Sequence, residues 1–322
     1  MSKRYLFGIG VCVVTFFTSC TGSKTITHTL PEGQSTYCSP TVSYSHRVMN
    51  RPVSNFDSLS NAHPILNSYL SEHDRIMANA LGITSAIAQL ATMRSDTTVV
   101  GHQQYAKLTI EIQNRLLLAA SEIDGIAAEL DCEGERAEQL AHYLDNLNNK
   151  RSIRLTAASI IIGAAITIAT AAVSTSDTQN AIGISGGLVT AVLGALILNP
   201  AGKKISIDYS HRNILHDIWF APTSSDIYTP FVWYVLNEKK FSNSYQVALT
   251  QSIRTRWTNF EFDNAMDASK EELFFGHGGI YTAEDLHTRA AFLNQLQSTI
   301  RSIHQDMQSL HASIGNLYKI QD

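Results

Sequence analysis

Apolar residues return every three or four positions along three stretches of this chain, and a fourth stretch is apolar almost without interruption. The first stretch places Leu66, Tyr69, His73, Ile76, Ala80, Ile83, Ile87 and Leu90 on one helical face. The second places Ile112, Leu116, Ala119, Ile123, Ile126, Leu130, Glu133, Ala137, Leu140, Leu144 and Leu147 in line, with Glu133 the one charged residue in the seam. The third carries Leu293, Leu296, Ile300, Ile303, Met307, Leu310, Ile314 and Leu317. No proline falls between Pro64 and Pro200 or after Pro230, so the strongest helix breaker is missing from both intervals. A seam this narrow buries little unless another such helix lies along it. The pattern therefore predicts an all-α fold: an elongated antiparallel helical bundle formed by residues 58–154 and a C-terminal helix over 282–322. A coiled coil between copies of the chain is the alternative. Arg94 to Gly101, with Ser95 and Asp96, reads as the turn between the first two helices, and Thr282 three residues before Asp285 reads as a helix cap.

The fourth stretch, residues 155–200, predicts an apolar helical hairpin inserted into that bundle. Leu155 to Ser176 and Thr178 to Gly202 contain no ionisable side chain, and Asp177 sits in a polar interlude between them. Each half is near the length of about 20 residues that crosses hydrocarbon. Gly163, Gly183, Gly186, Gly187 and Gly194, with many Ala and Thr, would let two helix backbones approach closely. Lys150, Arg151 and Arg154 precede the hairpin and Lys203 and Lys204 follow it, placed to meet anionic lipid headgroups. The buried centre of a soluble helical protein would be charge-free too, and that is the competing reading.

Residues 201–281 change character. They hold Trp219, Trp233 and Trp257, with turn signals at Pro222, Pro230 and Gly276 to Gly279. They read as a small aromatic-rich helical subdomain, in which His211, Ile214, Leu215, Ile218 and Trp219 form one helix face and Tyr245, Leu249, Ile253 and Trp257 another. Aromatic residues at this density serve as core, or as a belt at a lipid–water boundary.

At the N-terminus, Lys3 and Arg4 precede an uncharged run from Tyr5 to Phe17 that is too short to span a bilayer and reads as a signal peptide over 1–19. Phe17-Thr18-Ser19-Cys20 resembles the lipobox of bacterial lipoprotein precursors. The resemblance implies an acylated Cys20, a lipid bilayer as partner and a location in the cell envelope. An ordinary cleaved signal, or an uncleaved anchor, would export the chain equally. Residues 20–57 are rich in Ser, Thr and Pro and read as a flexible tether. Export leaves Cys38 and Cys132 as a candidate disulfide pair, the alternative being a helix-surface thiol at Cys132. The basic residues on both sides of the hairpin would sit in the cytoplasm by the positive-inside rule, whereas lipid on Cys20 puts them outside, so the hairpin would have to enter its bilayer from the outer face.

Charge narrows the function. With 24 basic and 28 acidic side chains the net charge is -4, without the basic excess of a nucleic-acid binder. Chemistry is sparse. Gly183-Ile184-Ser185-Gly186-Gly187 matches a nucleophile elbow in letters, but that motif needs a strand before the serine, and Thr178 to Asn180 is short and polar. Twelve histidines show no zinc-ligand spacing, so no metal or cofactor is expected. His73, His304 and His311 read as bundle residues, Asp131, Glu133, Glu135 and Glu138 with Arg136 as a solvated helix face, and His277 as a loop residue. Heptad helices with one apolar hairpin also resemble the architecture of α-helical pore-forming toxins, which implies membrane permeabilisation. The expected function is a non-enzymatic envelope lipoprotein, a helical scaffold that contacts a bilayer and a protein partner or second copy, with no small-molecule substrate. A pore-forming protein and an envelope hydrolase are the alternatives.

Overall fold

A computed structural model describes residues 28–29, 37–41, 52–53, 62–173, 202–262 and 264–318, with separate positions between 176 and 194. The signal peptide, Cys20, Asp177, Ser185 and Gly186 lie outside the described residues. Helices are α1 (Glu72–Ala80), α2 (Thr84–Thr92), α3 (Val99–Ala172), α4 (His216–Phe220), α5 (Pro230–Asn237), α6 (Leu249–Glu261), α7 (Ala268–Phe275) and α8 (Ala283–Tyr318). The architecture is an all-α bundle to which three short strands add a small sheet in the order β1 (His28–Thr29), β2 (Ile205–Asp208), β3 (Gly278–Tyr281). Strands of two to four residues are too short to show an alternating pattern, which is why the sequence did not announce them. The described residues divide into two compact units, one from residues 1–29, 139–206 and 280–286, the other from 30–138, 207–279 and 287–322.

In the larger unit the heptad seams form the core. Ile112, Ile123 and Leu130 of α3 and Leu293, Leu296, Ile300 and Leu310 of α8 are fully buried. The two helices run antiparallel there: the Tyr105 hydroxyl donates to the Leu317 carbonyl, His304 pairs with Asp124, and Gln297 Nε2 donates to Asp131. α1 also packs on α8, with His73 on Asp306 at 2.9 Å and the hydroxyls of Ser309 and Ser313 donating to the buried Asp74 carboxylate.

The first seam is not one helix. Ser71 caps α1 by accepting from the Asp74 amide, and Gly82 stands at φ 68°, a left-handed conformation that a side chain would strain. The chain therefore turns between α1 and α2, yet Leu66, Ile76, Ala80, Ile83, Ile87 and Leu90 all remain buried. Periodicity survives the break because the short helices pack on the same core, while Tyr69 and His73 reach the surface.

The stretch expected as a free tether is tied down at three points. His28 and Thr29 pair in parallel with Ile205 and Ser206, Cys38 is bonded to Cys132 across a separation of 94 residues, and the backbone of Val53 is held by Asn79.

Many of the aromatic residues of this segment are core, while Phe220, Tyr245 and Phe260 are exposed. Trp219 stacks on Phe275 with ring centroids 4.3 Å apart, and Trp257, Phe274, Phe275 and Phe292 form one buried cluster. α6 begins only at Leu249, and Tyr245 stands outside it in a left-handed turn, exposed. α4 is a single turn that does not reach His211. Arg289 is fully buried, its guanidinium 3.8 Å above the Tyr209 ring and donating to the Phe274 carbonyl and Asn213. Glu133 is buried as well, which corrects the solvated-face expectation for it. Burial pushes its carboxyl above the usual range, against the pull of Arg136 at 2.7 Å and of Arg289. Glu129 takes a two-pronged bond from Arg212 at 2.6 and 3.0 Å.

Candidate membrane-contact site

The other unit holds the apolar segment. Val99–Ala172 is long and apolar enough to cross a membrane, and its most apolar 18-residue window contains no buried residue. That window coincides with Leu155 to Ala172, about 27 Å of helix at 1.5 Å per residue. Ile160, Ile161 and Ile168 are 65%, 68% and 69% exposed. The partly covered positions, among them Leu155, Ser159, Ile162, Ile166, Ala169 and Val173, repeat at steps of three and four, so one stripe is shaded while the rest faces outward. The described positions between Ser176 and Gly194 are helical, and so not the strand that a nucleophile elbow needs.

The polar atoms in this window are satisfied locally. Its four hydroxyls, of Thr156, Ser159, Thr167 and Thr170, donate to the carbonyls of Ser152, Thr156, Gly163 and Ile166 in their own helix. A helix already satisfies its backbone, and hydroxyls turned back onto it remove the donors whose burial in hydrocarbon would be costly. The window thus offers its surroundings methyl and methylene surface with no unmet hydroxyl donor.

The segment is closed at its base. The amide of Lys203 donates to Asn148 Oδ1 at 2.8 Å, and Gly202 lies so close to Asn148 that a Cβ there would meet its side chain at 3.3 Å. This contact brings the two basic clusters to one level: Lys150, Arg151 and Arg154 on the outgoing helix, Lys203 and Lys204 on the returning chain. Lys150, Arg154 and Lys204 are exposed. β2 follows directly and is paired by β1, and the Thr282–Asp285 cap expected from sequence is formed, with Thr282 N donating to Asp285 at 2.9 Å and Asp285 N to Thr282 Oγ1 at 3.1 Å.

Other predicted positions are less gathered. A side-chain carbon at Gly163, Gly183, Gly187 or Gly194 would meet nothing within 4 Å among the described residues. Sequence reasoning missed Asn148, which carries no periodic or compositional signal and is informative only once its partner 55 residues away is known. Compared with known proteins, the chain matches no family model, no curated protein and no solved structure.

Proposed function

We propose that the protein is a non-enzymatic lipoprotein of the bacterial cell envelope, a helical scaffold whose apolar hairpin enters a bilayer while its basic base meets anionic headgroups. The observation that carries this reading is the unburied window Leu155 to Ala172. Three isoleucines left about two-thirds exposed forgo on the order of 1–2 kcal/mol each of burial, a cost that lipid removes. The 27 Å of helix approaches the roughly 30 Å of a hydrocarbon core. Export is supported by the Cys38–Cys132 bond, since reducing compartments do not sustain such bridges. Acylation of Cys20 rests on its lipobox resemblance alone.

The test uses the full chain with Cys20→Ser, which removes the acylation site. It should float with vesicles containing anionic lipid and stay in solution without them. In cells, a cysteine introduced as Asp177→Cys should be shielded from membrane-impermeant thiol reagents, while a Ser23→Cys control reacts once the outer face is opened. Equal labelling of both in membrane-bound protein would sink insertion.

A further inference from the structure

A second surface, in the larger unit, holds a short piece of the chain's own backbone. Asn79 is 2% exposed on α1, and its amide is turned onto the main chain of one residue: Oδ1 accepts from the Val53 N–H at 3.0 Å, and Nδ2 donates to the Val53 carbonyl at 2.9 Å and to the Tyr234 hydroxyl at 3.0 Å. A single buried side chain thereby does what a neighbouring strand does in a sheet, reading the main chain of its partner. Val53 is 45% exposed as a residue, and both of its bonds to Asn79 are made by its backbone.

Pro52, the residue before it, lines a cavity of about 710 Å³ together with Pro222, Trp233 and Tyr234. The charged side chains in that lining are Asp226 and Glu238, both acidic. The residue preceding Pro52 in the sequence is Arg51. Main-chain pairing supplies affinity in such a groove, and aromatic walls suit proline, whose fixed φ lowers the ordering cost of an extended ligand.

We infer that this groove is a recognition site for an extended segment of a partner protein bearing a basic residue followed by proline, and that Pro52–Val53 occupies its clamp as an internal stand-in. The inference rests on the reading of the chain as a scaffold that binds a protein partner; it does not depend on the membrane reading. Removing the internal segment exposes the amide of Asn79 and both rings to a competitor.

The probe is a fluorescent synthetic peptide of residues 47–57 of this chain, titrated into the full disulfide-bonded protein. Val53→Pro in the protein deletes the N–H that Asn79 accepts and so opens the clamp. The peptide should bind this variant at least tenfold more tightly than the unaltered chain, and Asp226→Asn with Glu238→Gln should weaken that binding at least threefold at low salt. Asn79→Ala should abolish the gain. Because Asn79 is buried, Tyr234→Phe provides the milder control, lowering affinity while leaving the melting transition in place. The same peptide with glycine at its proline should bind no better to the opened protein than to the closed one. Equal affinity for the Val53→Pro and unaltered chains, both folded by circular dichroism, would overturn the inference, and unchanged affinity in the carboxylate variants would overturn its basic-residue specificity. Vesicle flotation of the same variants should be unaltered, so failure of the membrane reading would register separately.

Discussion

α3 contains two apolar stretches that the molecule treats in opposite ways. From Ile112 to Leu130 its seam is closed: Ile112, Ala119, Ile123 and Leu130 are at 0% exposure. From Leu155 to Ala172 the helix is more apolar, and no position is buried. If burial followed hydrophobicity alone, the order would be reversed. The difference lies in the polar residues between the apolar ones. The earlier stretch alternates its seam with Arg115, Glu122 and Glu129, which take partners at Leu81 O, Arg115 and Arg212 and so fix which face turns inward. The later stretch has no charge to specify a face, and its hydroxyls are spent on their own helix. A face without polar instructions can be covered by any apolar medium, whereas the heptad stretch is held in one orientation by named partners: Leu81 O, Arg212 and, along α8, Gln297 and His304.

The largest effect that separates the two comes from placing one charge in each. Leu130→Asp buries an unpaired carboxylate in the bundle and should cost more than about 4 kcal/mol, enough to remove a cooperative melting transition. Ile161→Asp, at a position 68% exposed, should leave the melting transition within about 0.5 kcal/mol and abolish flotation with vesicles. Thermal denaturation and flotation of both variants provide the check; a collapse of the fold in Ile161→Asp would mean that this stretch is covered by protein after all.

Next in size is the covalent tie. The Cys38–Cys132 bond closes a loop of 94 residues within the larger unit, for which loop entropy gives about 4–5 kcal/mol. Cys132→Ser should lower stability by an amount of that order when unfolding is followed in urea, and flotation should persist, because the bond is outside the unit that holds the apolar window. Loss of flotation with the fold intact would break the division of labour between the two stretches.

The basic base of the hairpin sharpens the comparison in smaller steps. Lys203→Gln and Lys204→Gln should each reduce binding to anionic vesicles by about 1 kcal/mol, close to fivefold, with the effect shrinking as salt rises. Stability should be unchanged. Binding to neutral vesicles reads the apolar window alone and should not respond to either substitution.

How much of this was legible beforehand depended on whether a feature repeats. The α8 seam could be read in full: every position from Leu293 to Leu317 in the expected list is buried, because a period of three and four is a local signal with many samples. The cap at Thr282 was readable for the same local reason. Gly82 was not recognised as a break, since the apolar spacing runs through it unchanged. Single long-range contacts left no trace. Asn79 holding Val53, Asn148 holding Lys203 and Arg289 over the Tyr209 ring each depend on a polar residue that looks like a surface residue until the fold places it. Glu133 was noticed as a seam misfit and grouped with Arg136, its i,i+3 partner, but its burial and the pull of Arg289 could not be assigned from one period. At the candidate site, composition announced the apolar window and its basic flanks; it could not say that the window is left uncovered, or that its hydroxyls are turned inward onto the helix.

The smallest effect tests the edge of the bundle, where specificity is electrostatic and should respond to pH as the apolar window should not. The His73 ring is raised above its ordinary pKa chiefly by its hydrogen bond to Asp306, helped by the charges of Asp306 and Asp74 and opposed by burial. The edge of the Phe241 ring, 5.3 Å away by centroids, covers another side of it. A group whose pKa is raised on folding adds stability below its unfolded value, near 6.5, and loses that contribution as pH rises through the folded value. The two side chains are 32% and 30% exposed, so screening by water keeps the contribution under about 1 kcal/mol. Urea midpoints measured from pH 5 to pH 8 should therefore fall slightly across the upper part of that range. Asp306→Asn removes the acceptor charge and should flatten the slope while lowering the midpoint mainly at pH 5. Vesicle binding through a window without titratable groups should not follow the same curve; if both quantities moved together over this pH range, bundle and window would be one coupled system and their separate treatment would be wrong.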